Sequence, residues 1–187
     1  MKKLIETGKS LHGAITQKGC VECHEIHGGG HRRLLTNEYP SEVYYPFRAT
    51  TYALCFGCHD KALVNEARTM AATGFRNGEQ NLHYVHVHDD KKGRTCKVCH
   101  DAHASSREKH IRDEVAYGKK GWKLPIRFEA LATGGRCSAG CHAAYEYNRD
   151  RAVVYPALKL DGAWKGIDLA PGALSEPAEE KKERKKE

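Results

Sequence analysis

Only three segments of this chain combine apolar positions with the signals that start and stop helices. The segment 60–72 begins at a potential N-cap, Asp60, and is followed by Gly74. The segment 106–117 is ended by Gly118, and a third helix is predicted over 143–153. The prolines and the glycines at 28–30 and 134–135 indicate loops. With no strong strand pattern, we expect a loop-rich fold with short α-helices and little or no β structure.

The hydrophobic content is too low for an ordinary core. Leu, Ile, Val and Phe account for 32 of the 187 residues, or 17%, which is a share typical of chains that do not fold by themselves. A second source of apolar surface is therefore expected.

The eight cysteines indicate what that source is, because they form four pairs and each pair is followed at once by a histidine. Cys-x-x-Cys-His is the attachment signal for c-type haem, in which two thiols bond to the porphyrin and the histidine reaches the iron. The last site, over 137–142, has one extra residue between its cysteines. We therefore predict four haem c groups. The predicted attachment residues are Cys20, Cys23, His24, Cys55, Cys58, His59, Cys96, Cys99, His100, Cys137, Cys141 and His142.

Zinc and disulfide bonds are the competing explanations of paired cysteines. Neither requires a histidine after the second cysteine, and histidine makes up only 12 of the 187 residues. Four chance matches are improbable, so the pattern favours haem. Four porphyrins would also supply the missing apolar surface, whose burial stabilises a fold by about 25 cal/mol per Å². A chain without haem is therefore expected to be largely unfolded.

An internal repeat organises the motifs. Five positions of the first half, His12, Cys20, Cys23, His24 and His27, recur 76 residues later as His88, Cys96, Cys99, His100 and His103. A fixed offset of this kind indicates tandem structural units. We predict one two-haem module over 1–80, a second over 81–148, and a C-terminal extension over 149–187 whose charged end, from about 176, is mobile.

Histidine is also the predicted second axial ligand. The only methionines are Met1 and Met70, whereas eight histidines remain after the four that follow cysteine pairs. All four haems can thus be bis-histidine, with low reduction potentials. The remaining histidines are His12, His27, His31, His83, His86, His88, His103 and His110.

Residues 10–148 resemble the multihaem c-type cytochromes with doubled Cys-x-x-Cys-His motifs, which are related to the tetrahaem cytochromes of the c3 type. The stretch from Asn81-Leu82-His83 to Cys141-His142 is especially similar to cytochromes of metal-respiring bacteria, some relatives of which form extracellular haem-lined filaments.

The resemblance implies a ligand set. His12 would complete the haem at Cys20, His27 the haem at Cys55, and His103 the haem at Cys137. The haem at Cys96 has three candidates, of which His86 is preferred because valines flank it, His83 follows closely, and His88 precedes two aspartates. His31 and His110 are expected at the surface or near haem propionates. The predicted metal ligands are His24, His59, His100, His142, His12, His27, His83, His86 and His103.

The formal charge of +7 and the pI near 9.0 do not indicate nucleic-acid binding. Four haems add eight propionates and, when oxidised, four positive charges, which gives 7 − 8 + 4 = +3. No recognised nucleic-acid motif is present, and no stretch approaches the roughly 18 apolar residues of a membrane span.

These features favour electron transfer by a carrier or conduit over catalysis. A haem enzyme needs an open iron position, and none is evident, so we expect no enzymatic activity. The expected partners are redox proteins or an extracellular electron acceptor. One alternative is a homo-oligomer or an extracellular cytochrome filament, with one histidine ligating a haem of a neighbouring subunit, and the other is a multihaem reductase. Because c-type haem is attached outside the cytoplasm, we expect a periplasmic or extracellular protein, although residues 1–10 show no signal peptide.

Overall fold

Short helices and short antiparallel strands, joined by long loops, make up this protein. The structure, a computed structural model, describes residues 2–118 and 121–155. The predicted C-terminal extension therefore lies, from residue 156 on, outside the described residues. The helices are α1 (Lys2–Thr7), α2 (Gly13–Lys18), α3 (Ala53–Phe56), α4 (Ala62–Asn65) and α5 (Leu82–Val87). Single 3-10 turns cover Cys20–Glu22, Arg32–Leu34, Ala49–Tyr52, Cys96–Val98 and Glu108–His110.

Nine strands lie in the described part of the chain, and every pairing among them is antiparallel. The strands are β1 (Ser10–Leu11), β2 (Arg76–Asn77), β3 (Gln80–Asn81), β4 (Ala104–Ser105), β5 (Glu114–Tyr117), β6 (Trp122–Pro125), β7 (Phe128–Leu131), β8 (Gly134–Cys137) and β9 (Tyr145–Asn148). They form three two-stranded sheets, in which β1 pairs with β4, β2 with β3 and β5 with β6, and one three-stranded sheet of order β7–β8–β9.

The expectation of little or no β structure is therefore wrong. The strands are only two to four residues long, and β5, for example, buries a single side chain, Val115. Such strands have no alternating apolar pattern that could reveal them in the sequence. Their stability comes from pairing with another segment, which local sequence does not encode.

The three predicted helices are wrong in extent or in kind. Over 60–72 only α4 forms, because the chain beyond it is extended and pairs with β3, with Asn81 N donating to Ala67 O at 2.9 Å. Over 106–117 a 3-10 turn is followed by β5, and His110 has a positive φ of 55° that a helix cannot contain. The segment 143–153 contains β9, which pairs with β8. In all three segments, pairing with another part of the chain overrides the helical signals.

The glycines at 134–135, which were predicted to mark a loop, lie instead inside β8. Both are buried, and a Cβ atom on Gly134 would overlap the carbonyl oxygen of Tyr147 on the neighbouring strand. A Cβ atom on Gly135 would lie 2.8 Å from the Phe128 ring. Glycine is needed here for the close approach of two strands and not for a turn.

Contacts connect the two halves of the repeat throughout. Strand β1 from the first half pairs with β4 from the second, and His12 N donates to His103 O at 2.9 Å. Thr95, which is buried, donates from its backbone N to Val43 O at 3.1 Å. The sequence modules are therefore packed against each other along much of their length.

The apolar core is small. One cluster of buried residues is formed by Val98, Val115 and Ile126, with partly buried apolar side chains around it. Several large hydrophobic side chains are exposed instead, including Trp122, at 70%. Among the described helices none is long and apolar enough to cross a membrane.

This small core leads to a prediction about the chain without its cofactor. Replacing all eight cysteines by serine should abolish cooperative thermal unfolding, because the remaining apolar contacts cannot offset the conformational entropy of folding. Circular dichroism and calorimetry on the variant, with the wild-type protein as control, provide the measurement. A sharp, cooperative transition in the variant would show that the polypeptide folds without haem.

Candidate functional site

Three of the cysteine–histidine loops have the same backbone geometry. We number the loops in chain order: first (20–24), second (55–59), third (96–100) and fourth (137–142). In each of the first three, the carbonyl of the first cysteine accepts hydrogen bonds from the N–H of the second cysteine and of the histidine. These N–O distances are 3.3 and 3.0 Å in the first loop, 3.2 and 2.9 Å in the second, and 3.3 and 3.0 Å in the third. In each of these three loops, a tight turn therefore brings two thiols and one imidazole close together.

The segments after the first and third loops fix the orientation of their histidines. The Nδ1 atom of His24 lies 2.9 Å from Arg33 O, and that of His100 lies 2.8 Å from Lys109 O. Because a carbonyl only accepts, each Nδ1 carries the proton and each Nε2 keeps its lone pair. A protein imidazole that binds a metal typically donates its other ring N–H in this way.

The fourth loop has a different geometry, as its extra residue requires. Cys137 is the last residue of β8, and the N–H of His142 donates to Ala139 O at 3.3 Å, with no bond to the first cysteine. Gly140 N donates to Pro125 O at 2.9 Å, which fixes the middle of the loop against the end of β6. The His142 Nδ1 atom lies 2.5 Å from the carbonyl oxygen of Ala143, so its Nε2 is also free.

Each loop histidine faces a second histidine from a distant part of the chain. An iron atom held between two imidazole nitrogens, at about 2 Å from each, separates the ring centroids by about 6 Å. The four pairs have that separation. The centroid distances are 6.2 Å for His24–His103, 6.0 Å for His59–His12, 6.3 Å for His100–His83 and 6.5 Å for His142–His86.

This arrangement differs from the ligand set that the family resemblance implied. His12 lies beside the second loop and not the first, and His103 lies beside the first loop and not the fourth. His27, which was expected to serve the second loop, is exposed, and none of the histidine ring contacts of the described residues includes it. Chain order therefore does not give the spatial pairing.

Helix α5 presents two of these partner histidines. His83 faces the third loop, and His86, the preferred candidate for that loop, faces the fourth. Burial, followed by the nearby His100, lowers the pKa of His83 to about 4. Burial, followed by Arg94, lowers the pKa of His86 to about 4. Both imidazoles are therefore neutral at pH 7, which is the form that can bind a metal.

His88 is not available as a ligand, although it is the repeat equivalent of His12. Its Nε2 atom lies 2.9 Å from Val64 O, and its ring stacks on Tyr84 with a centroid distance of 4.1 Å. The ring of Phe47 lies at 4.1 Å on another side. These contacts give His88 a structural role.

Asn81 holds α5 in position, a role that was not predicted from the sequence. The residue is fully buried, and its side-chain oxygen accepts from His83 N and Tyr84 N at the start of the helix. Its amide group donates to Leu63 O at 3.0 Å and to Glu66 O at 2.9 Å. An asparagine directly before a helix carrying two histidines is an N-cap signal that could have been recognised.

Cysteines of the first three loops lie close enough to shift one another's pKa. Burial, Glu22 and the nearby Cys58 raise the pKa of Cys23. The nearby thiol of Cys55 is the largest influence on Cys96 and lowers the pKa of Cys96 to about 7. The first loop thus lies next to the second, and the second next to the third.

The third and fourth loops also lie next to each other. Burial, followed by the nearby Cys137, raises the pKa of Cys99 to about 12. Cysteines of the first and second, the second and third, and the third and fourth loops therefore lie near one another.

Comparison with known proteins agrees with the chemistry of the loops. Residues 12–63, which include the first and second loops, match the family model for the doubled CXXCH motif. No curated protein and no solved structure matches the chain. The family match supports a multihaem c-type cytochrome that binds haem c covalently and takes part in electron transport.

The position of α5 yields a second prediction. Asn81→Ala removes the N-cap and leaves two partly buried carbonyls, those of Leu63 and Glu66, without this donor, so it should lower the free energy of unfolding by about 3 kcal/mol. It should also produce a high-spin haem fraction, since His83 and His86 lose their fixed position. Denaturant titration and absorption spectra of the haem-loaded protein provide the measurements. Asn65→Ala, at an exposed position in α4, is the control and should change stability by less than about 0.5 kcal/mol; equal effects of the two variants would contradict the proposed role of Asn81.

Proposed function

We propose that this protein is a tetrahaem c-type cytochrome that transfers electrons, as a carrier or conduit, in extracytoplasmic respiration. The observation that carries the proposal is the set of four histidine pairs, each containing one loop histidine and each with a centroid separation of 6.0 to 6.5 Å. A single motif could arise by chance, but four matched pairs of this separation have a common explanation in four iron centres.

The pairs assign a ligand set that is specific to this chain. His103 completes the site of the first loop, His12 that of the second, His83 that of the third and His86 that of the fourth. The rings of His24 and His103 are nearly parallel, at 12°, and those of His100 and His83 lie at 25°. His110, whose ring centroid lies 5.4 Å from that of His12, belongs to no loop, so His12 is assigned to His59.

The residues fit haem c in three respects: paired thiols, a loop imidazole with a free Nε2 in the first, third and fourth loops, and an opposing imidazole. Bound haem supplies reversible one-electron exchange between ferric and ferrous iron. Two imidazoles at each site favour low reduction potentials in comparison with histidine–methionine sites. Met70 is 62% exposed, and its sulfur accepts a hydrogen bond from Arg76, so it does not compete for a site.

The order of the loops supports a conduit. Cysteines of consecutive loops lie near enough to influence one another's pKa, as Cys58 does for Cys23, Cys96 for Cys55 and Cys137 for Cys99. The chain would thus hold its four cofactors in a row, with the first and the fourth loop at the two ends. Such a row accepts electrons at one end and delivers them at the other.

The proposal assigns no catalytic site, because two imidazoles at each iron leave no open coordination position. All four pairs are formed within one chain, so ligation does not require a histidine from a second copy. A periplasmic or extracellular location follows from the chemistry of haem attachment, which takes place outside the cytoplasm.

The number of cofactors is the first test of this function. Mass spectrometry of the mature protein should show a polypeptide heavier by four haem groups. Cys137→Ser combined with Cys141→Ser should reduce the count to three, because the stretched loop is expected to bind haem like the others. A count of three in the unmodified protein would remove the fourth loop from the proposal, and a mass equal to that of the bare chain would end it.

The ligand set is the second test. His103→Ala should convert one of the four haems to the high-spin state and allow its ferrous form to bind carbon monoxide, because the iron loses its sixth ligand. His27→Ala, at the repeat-equivalent position, should leave all four haems low-spin. Absorption and electron paramagnetic resonance spectra of the two variants provide the comparison.

A triple variant identifies the haem that is affected. In a Cys20→Ser, Cys23→Ser background, which lacks the first haem, His103→Ala should add no high-spin signal. If His27→Ala opened a haem and His103→Ala did not, the pairing proposed here would be wrong.

A further inference from the structure

A cavity of about 250 Å³ lies between the segment that follows the first loop and the third loop. Four cationic side chains line it: Arg32, Arg33, Lys97 and Arg112. The other lining residues are Ser41 and the small or apolar residues Val43, Val98, Val115 and Ala116, so no acidic residue of the described chain takes part in the lining.

The cations have few internal partners. Arg112 donates from one terminal nitrogen to Asp101 at 3.1 Å, but its Nε atom is buried and has no hydrogen-bond partner within the described part of the chain. The ammonium group of Lys97 donates to the carbonyl of Pro40 at 2.5 Å. Asp101 is thus the one carboxylate that is hydrogen-bonded to any of the four among the described residues.

The cationic side chains repel one another within the cavity. Burial, followed by the repulsion of Arg32 and Arg33, lowers the pKa of Lys97, and Glu42 offsets this only in part. An adjacent cavity provides the contrast, because its lining includes two acids, Glu38 and Glu42, beside Arg32. Of these two cavities, only the one beside Lys97 and Arg112 is lined by charges of a single sign.

We propose that this cavity binds an anionic carboxylate or phosphate group. Guanidinium groups donate to such oxyanions in a fixed, forked geometry, and hydrogen bonds between charged groups are about twice as strong as neutral ones. An oxyanion would accept from the unpartnered Nε atom of Arg112 and would neutralise the repulsion around Lys97. The oxyanion could come from two sources: a free anion from solution, or the propionate of a haem. The second source applies only if the proposed function, and thus haem binding, is correct.

Isothermal titration calorimetry tests the free anion directly. Inorganic phosphate and malonate are titrated into the haem-loaded protein at low ionic strength. Arg112→Gln and Lys97→Gln should each weaken binding by at least about tenfold, since a charge-assisted hydrogen bond is lost. Arg68→Gln is the control, because Arg68 is exposed, pairs with Glu79 and does not line the cavity; it should change the affinity by less than about twofold.

If the wild-type protein binds neither anion, resonance Raman spectra and redox titrations test the propionate. Arg112→Gln and Lys97→Gln should then shift a propionate bending band and lower the midpoint potential of one haem, because loss of a nearby cation favours the ferric state. Arg68→Gln should do neither.

Binding that is equally strong in all three variants would place the anion elsewhere and overturn the proposal. No binding, together with unchanged spectra and potentials, would also overturn it. The haem count from mass spectrometry tests the proposed function separately. Failure of the anion site therefore does not imply failure of the proposed function.

Discussion

The rest of this structure depends on the placement of one imidazole opposite another across about 6 Å. Each of the four pairs joins a cysteine–histidine loop to a histidine at least 17 residues away in the chain. A single misplaced element would therefore disrupt a centre that lies far from it in sequence. The short helices and two-residue strands are understandable in this context. They need only hold histidines in position, and bound porphyrins would supply the apolar surface that the small Val98 cluster lacks.

The repeat determines local geometry but not pairing. The first and third loops have the same turn, and the segments after them contain equivalent positive-φ residues, Arg33 and Lys109. The partner histidines do not follow the offset of 76 residues. His103 faces a loop histidine, whereas its repeat equivalent His27 is exposed. The reason is that β1 pairs with β4, which brings His103 to the first loop, and this cross-connection has no counterpart in the repeat.

The cationic side chains are unevenly distributed over the protein. Several exposed cations are paired on the surface, such as Arg68 with Glu79, and contribute little. The four around the cavity beside Lys97 lie close together, where they repel one another and raise the free energy of the fold. A cluster of this kind costs stability unless an anion compensates it, so its presence in a protein with a small core favours a ligand.

The sequence by itself determined the chemistry of the sites. Thiol pairs followed by histidine, the supply of further histidines and the low apolar content are all local or compositional properties, and they indicate haem independently of the fold. The tertiary structure alone decided the strands, the role of Gly134 and the position of His103 beside His24 while His27 is exposed. Each of these depends on which distant segments meet. A local pattern of residues does not encode contacts between distant segments. The free energy that favours these contacts comes from pairing and burial between segments far apart in the chain.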